Sequence, residues 1–458
     1  MGVLPNLPNL ANLKLSDPTG VLADRTRSGR PRVLKVKGGS NWSISQAKSA
    51  FLKGAVFACK NGEIELFNPA ATSADVKMMG VVGDISVADM RLQASKLGNS
   101  SKGASNNTFR ISRFTSWMNG TKTLLRGSAL LNAFGVDSAI LRVNNDDETI
   151  RQYVSLTDDE KDVFKDMLFQ EAYLTLMAAK LGVGVKIYGI RFQTLFVQIK
   201  RGGLFFNELI PRVVYLMEAG SGSLASLCGN VRLSSTEADM LFELVKTAST
   251  KGFLLTDLKP GNVVYFTNAT NSCANFKLID FGSDHSAFFD DPASFDADCL
   301  LTCNALLFST VALTSTPETR ACLHAAASRF VQFLKNETGA TRATRAMITP
   351  LCDMLETSTS SGSFKMKSMF DDEFSPQNVT PYAVDHLLYM IRFYATAAAD
   401  PLFVSLRDLD QTAPFIPQVV AKLVERYEQD ETTFDDSRCT ADENKDSAEQ
   451  TTKRGREE

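Results

Sequence analysis

Two short stretches carry side chains whose types and spacing suit phosphoryl transfer. The first is Leu254-Leu255-Thr256-Asp257-Leu258-Lys259-Pro260-Gly261-Asn262, and the second is Ile279-Asp280-Phe281-Gly282. Moving a phosphoryl group asks little covalent chemistry of a protein. It needs a carboxylate to take or orient a hydroxyl proton, oxygen ligands for magnesium, and cations against the developing charge. Asp257 offers the carboxylate, while Asn262 and Asp280 offer the hard oxygens that magnesium prefers. The ordinary alternative is that Asp257 caps a loop and Asp280 ends a strand.

These residues act together only if the chain brings two separate points to one edge. Ser234-Ser235-Thr236-Glu237 is a capping box, and Leu241, Leu244, Val245 and Ala248 recur at helical spacing before Gly252, so a buried helix is expected to lead into the Asp257 loop. Residues 263–266 and 276–279 are short apolar runs around a polar turn, a strand pair that would return Asp280 to Asn262. Upstream, Thr157-Asp158-Asp159-Glu160 caps another helix, with acids at its positive end and Gly182 as its stop. Residues 123–143, broken at Gly127 and Gly135, read as consecutive antiparallel strands. Residues 185–188, 194–199 and 213–217 read as further strands, and Gly220-Ser221-Gly222-Ser223 as a connector. Beyond the site, residues 298–313, 317–334, 342–355, 381–397 and 414–427 are helix candidates.

In this order the motifs resemble those of eukaryotic-type serine/threonine protein kinases. Asp257-Leu258-Lys259-Pro260-Gly261-Asn262 is similar to their catalytic loop, and Asp280-Phe281-Gly282 to their metal-binding triplet. The resemblance implies that Asp257 is the catalytic base, that Lys259 contacts the transferred phosphate, and that Asn262 and Asp280 hold Mg2+ for ATP. It extends over residues 123–282. Glu171 takes the place of the ion-pair glutamate, and Met217, Glu218 and Ala219 that of the adenine-binding hinge. Arg142 stands where the family has a phosphate-binding lysine; it keeps the charge in a planar fork that a lysine does not have. Gly127 is the single glycine left in the phosphate-covering loop. Leu255 and Thr256 replace the histidine and arginine before the base, and no Ala-Pro-Glu triplet follows. Asp296 or Asp298 is a candidate anchor of the catalytic loop.

The implied fold class is α+β, a bilobal protein-kinase-like arrangement with an antiparallel β-rich lobe over residues 108–219 and a mainly helical lobe over 220–428. Residues 1–40 read as a mobile basic arm and 429–458 as a disordered acidic tail. Residues 41–98 read as a small appended element, whose Asn61-Gly62 signals a hairpin between strand-like runs at 56–60 and 63–67. Residues 99–107 read as a linker.

Composition narrows the class further. A chain of 458 residues with 44% hydrophobic content buries one large or two ordinary cores. The formal charge of -3 gives nucleic acid no main role, the Arg25 to Lys37 cluster reading as a solvated basic tail. Eight cysteines without CxxC spacing suggest free thiols in a reducing, cytoplasmic or nuclear compartment, and three histidines disfavour a zinc cluster. No apolar run reaches the roughly 18 to 20 residues that span a bilayer, so a membrane is not expected as a partner. The expected partners are ATP and an unidentified protein acceptor. Two other readings stay open: a pseudokinase acting as a binding or scaffolding module, and a small-molecule phosphotransferase of the same fold.

Overall fold

Antiparallel pairing organises the first half of the chain and helix packing the second, an α+β arrangement. The structure, a computed structural model, describes residues 33–37, 39, 41–67, 100–102, 107–118, 124–143, 153–154, 156–201, 204–228, 231–268, 273–282, 286–288 and 297–340, with scattered positions between 390 and 429. The arm before residue 33, the expected helix at 342–355, most of that at 381–397, part of that at 414–427, Asp296 and most of the acidic tail lie outside the described residues.

In chain order the first elements are β1 (Val33–Lys35), β2 (Asn41–Ser43), α1 (Ile44–Leu52), β3 (Val56–Lys60) and β4 (Glu63–Phe67). The Asn-Gly turn is present. Asn61 and Gly62 sit at φ 51° and 76°, the left-handed conformation that a two-residue hairpin turn requires at both positions. There follow β5 (Ser100–Lys102), β6 (Asn107–Ser112), β7 (Ser116–Met118), β8 (Leu124–Arg126), α2 (Gly127–Phe134), β9 (Ser138–Val143), α3 (Asp158–Lys180), β10 (Ile187–Arg201) and β11 (Leu204–Glu218).

Seven of these strands form one sheet in the order β4-β3-β10-β11-β9-β6-β5. Two consequences differ from the sequence reading. The hairpin of residues 56–67 pairs through β3 with β10, so it forms an edge of the main sheet instead of a separate appendage. Residues 100–102, expected within a linker, form a strand against β6. A third difference lies at residues 127–134, which are helical where strands were expected.

Helix α3 starts at the capping box as its sequence demands: Thr157 Oγ1 accepts from the Glu160 amide, and the Glu160 carboxylate accepts from the Thr157 amide at 2.8 Å. Gly182 follows its end at φ 78°. Leu168, Phe169, Ala172, Tyr173 and Leu176 recur at helical spacing and are buried in the main core with Phe51 of α1 and Phe57 of β3.

The second half runs β12 (Gly222–Ser223), α4 (Leu224–Leu227), α5 (Ser235–Thr250), β13 (Phe253–Leu255), a 3₁₀ turn (Pro260–Asn262), β14 (Val263–Thr267), β15 (Cys273–Leu278), β16 (Ser286–Phe288), α6 (Ala297–Leu313) and α7 (Pro317–Ala340). Ser234 and Glu237 form the second capping box. The α6 helix is apolar nearly all round, because α5, α7 and β13 surround it. Among the described residues, no helix is long and apolar enough to cross a membrane.

Candidate functional site

The loop that follows β13 is tied to its own residues. Lys259 Nζ donates to Asp257 Oδ2 at 2.6 Å, and Asn262 Nδ2 donates to the same oxygen and to the Asp257 carbonyl, both at 3.0 Å. Asp257 is 8% exposed, and its other oxygen, Oδ1, is buried with no hydrogen-bond donor among the described residues. A buried carboxylate oxygen is costly to leave without a donor, so Oδ1 is the side of Asp257 that the described protein groups leave to a partner from outside the loop. Burial works against the charge of Lys259, but the Asp257 carboxylate outweighs it and raises the ammonium above the ordinary lysine range.

Strands β14 and β15 pair antiparallel, Val263 opposite Leu278, and the Ile279 amide donates to the Asn262 carbonyl at 3.0 Å. The pairing therefore sets Asp280 one residue beyond a direct hydrogen bond to Asn262. Asp280 adopts φ 66°, a left-handed backbone for a residue that carries a Cβ. Aspartate tolerates this better than most side chains, and such outliers concentrate at functional sites. Phe281 is buried and packs 5.6 Å from Phe253, whose ring in turn lies 4.7 Å from Phe288, so an aromatic row links the Asp280 turn to the strand leading into the Asp257 loop.

A second cluster reaches Asp280 from the sheet. Arg142 Nη2 lies 2.7 Å from Asp280 Oδ1 and 3.0 Å from Glu171 Oε1 of α3. Arg142 and Glu171 are nearly buried, with 11% and 14% side-chain exposure, and Asp280 is more open at 32%. Burial disfavours the guanidinium charge, but Asp280 and then Glu171 overcome it and raise its pKa. Tyr215 of β11, fully buried, presents its ring 5.3 Å from the guanidinium carbon. Burial first, and the Glu171 carboxylate second, hold the Tyr215 hydroxyl neutral well above its ordinary pKa. Tyr215 was not singled out by the sequence; its signal is a polar aromatic in an apolar run opposite Arg142 in the sheet register.

The largest omission of the sequence reading is Asn304 in the middle of α6. Its side chain is fully buried and hydrogen-bonds three ways: Oδ1 accepts from the Leu255 amide at 2.8 Å, and Nδ2 donates to the Phe253 carbonyl and Ser249 Oγ, both at 3.0 Å. This ties both ends of β13, immediately before Asp257, to the helix core. Asp298 lies in the first turn of α6, where its carbonyl accepts from Thr302 Oγ1 at 2.8 Å.

One other expectation is placed differently. Gly127 starts α2 instead of lying in a phosphate-covering loop, and its amide donates to the Thr115 carbonyl at 2.6 Å. A Cβ there would sit 2.1 Å from the Ser112 carbonyl oxygen, so close backbone packing explains the glycine. In the expected hinge, Met217 is buried and the Glu218 amide is engaged with the Lys186 carbonyl at 2.9 Å, while the Glu218 carboxylate pairs with Lys186 Nζ at 3.1 Å. Ala219 follows, half-buried, at the end of β11. The structure thus brings together Asp257, Lys259 and Asn262, joins Asp280 to them through the strand pair, and joins Arg142 and Glu171 to Asp280.

Among these five charged side chains, the carboxylates of Asp257, Asp280 and Glu171 face the cations of Lys259 and Arg142, an excess of one negative charge. Among the described residues no group of three or more histidine, cysteine, aspartate or glutamate side chains is placed to hold a metal ion by itself, so a divalent cation here would need oxygens from a bound ligand as well. No protein-family model matches this chain, and no curated protein matches it.

Proposed function

We propose that this chain is a divergent serine/threonine-type protein kinase that transfers the γ-phosphate of ATP to a hydroxyl acceptor. On this reading residues 108–219 serve as the strand-rich lobe of a bilobal kinase fold, and residues 220–428 as the other lobe. The observation that carries it is the convergence on one strand pair of Asp257, with its unsatisfied Oδ1, and of Asp280, ion-paired to Arg142. Asp257 accepts or orients the proton of the acceptor hydroxyl, with Lys259 and Asn262 holding its other oxygen. Arg142, fixed by Glu171 and Tyr215, sets a permanent positive charge beside the phosphates. Asn262 and Asp280 would hold magnesium, which when bound neutralises charge on the phosphates.

A second reading, a nucleotide-independent binding module, is favoured by one observation: Arg142 already occupies an oxygen of Asp280, the better of the two metal ligands. Transfer of labelled γ-phosphate from ATP with magnesium, to generic protein acceptors and to the chain itself, separates the two. The kinase reading requires transfer that falls about 100- to 10,000-fold in Asp257→Asn, the usual contribution of a positioned general base. Calorimetry of the Asp280→Asn variant should show loss of magnesium-dependent nucleotide binding with the fold retained. A folded chain that neither binds nor transfers leaves the binding-module reading.

A further inference from the structure

The two 15-residue strands β10 and β11 outrun their neighbours. Strand β3 pairs with β10 only as far as Arg191, and β9 pairs with β11 only from Val214 onward. Residues 192–201 and 204–213 therefore continue as a two-stranded ribbon whose outer edges carry no strand among those described. Its base is anchored: Ile210 is buried with Tyr153 and Val154, and Arg212 Nε donates to Gln193 Oε1 at 2.9 Å. Its tip is apolar and bare, with Leu204 66%, Phe205 64%, Phe206 46% and Leu209 60% exposed.

Two properties select the occupant. Side chains alternate between ribbon faces, so Leu204 and Phe206 lie on one face and Phe205 and Leu209 on the other. A groove in a folded protein covers one face of a ribbon, whereas an apolar medium surrounds both. Directly beside these residues stand Lys200 and Arg201, joined to them by Gly202-Gly203, so the apolar tip carries adjacent positive charge and no acid before Glu208. From Leu204 to Phe206 the strand rises about 7 Å, within the roughly 5 to 10 Å to which amphipathic segments enter the headgroup and acyl boundary.

We infer that the β10–β11 tip inserts into the interface of an anionic lipid membrane, a peripheral contact in which Leu204, Phe205 and Phe206 enter the acyl boundary and the positive charge that the sequence sets at positions 200 and 201, opposite Phe205 and Leu204 in the register, favours anionic headgroups. The association is weak and reversible, because a few apolar side chains and two basic residues hold it. It is independent of the phosphotransfer reading.

The test is co-sedimentation of the full chain with phosphatidylcholine vesicles containing a minority of phosphatidylserine, against phosphatidylcholine alone. Binding should appear with the anionic vesicles and decline with salt. The Phe205→Ser/Phe206→Ser variant, and separately Lys200→Glu/Arg201→Glu, should each bind about tenfold or more weakly. Phe205 and Phe206 are exposed, so thermal unfolding of the serine variant should be unaltered, and the same scan checks the charge-reversed variant. Absence of binding by the natural chain overturns the inference, as does binding that neither variant weakens, which would place the contact in the basic residues 25–37. Light scattering that shows self-association abolished by the phenylalanine variant, without lipid binding, would make a second copy of the chain the occupant and overturn it equally.

Discussion

Replacing Asn304 tests whether the geometry of the Asp257 loop depends on one buried amide. The side chain satisfies the Leu255 amide and the Phe253 carbonyl, both on a strand buried at every residue. Asn304→Leu keeps the branched outline with bulkier methyl groups and leaves these two backbone groups without partners, at about 1–3 kcal/mol each, so a loss of at least about 2–6 kcal/mol is expected. Ser249 contributes little to this sum, since its hydroxyl keeps its bond to the Val245 carbonyl at 2.9 Å. Urea unfolding followed by circular dichroism measures the loss as a lower midpoint at unchanged slope. Asn304→Asp adds a sign. The carboxylate still accepts from Leu255, but it sets a second oxygen against the Phe253 carbonyl, and burial raises its pKa above the unfolded value of about 4. A group whose folded pKa is raised contributes its stability below the unfolded pKa and loses it as pH rises, so this variant should come closest to the natural chain at acid pH and weaken toward neutrality. A loss under about 1 kcal/mol for Asn304→Leu, or an Asn304→Asp profile that is flat or reversed, would refute the anchoring role.

Gly127→Ala should cost about 1–3 kcal/mol or more through overpacking against the Ser112 carbonyl. Gly135→Ala, at φ 65° with open space around it, should cost only about 1 kcal/mol in the same unfolding assay. Arg142→Ala leaves Glu171 and Asp280 uncompensated and should lose about 3–5 kcal/mol, whereas Arg142→Lys should retain most of the stability and, on the phosphotransfer reading, measurable nucleotide affinity by calorimetry. The raised pKa of Lys259 means its pairing with Asp257 stabilises the fold fully below the ordinary lysine range and is lost as pH rises through the folded value. The stability difference between the natural chain and Lys259→Met should accordingly be constant at neutral pH and shrink in strongly alkaline buffer.

Elements whose local chemistry is sufficient were legible in the sequence. Both capping boxes and the Asn-Gly hairpin are settled by bonds or backbone angles within a few residues, and they stand as read. Elements settled by distant packing were not. Residues 128–134 hold good helix formers in a short apolar run, which periodicity alone does not separate from a strand, and Gly127 looked like a ligand-binding glycine because the Ser112 to Thr115 turn against it is invisible locally. The membership of β3 and β4 in the main sheet rests on pairing across more than a hundred residues. Within the site, the Asp257 loop and Asp280 were legible because their spacing is short. Tyr215 and Asn304 were not, although an amide in an apolar helix is a detectable sign: so costly a group is retained where its hydrogen bonds are needed.

The unusual element of the site is also its tightest constraint. Arg142 Nη2 holds one oxygen of Asp280 and one of Glu171, so the guanidinium does two things that oppose each other on the phosphotransfer reading. It keeps α3 docked toward the site and supplies a fixed cation, yet it competes with magnesium for Asp280. Competition for one ligand is a coupling, and it is reciprocal: whatever draws Arg142 toward incoming phosphate oxygens releases Asp280 to the metal, and metal on Asp280 releases Arg142 to the phosphates. Nucleotide and metal should then bind together far better than either binds alone. Both carboxylates meet one guanidinium nitrogen, a contact that an ammonium could also make, so Arg142→Lys separates what the charge does from what the planar fork adds.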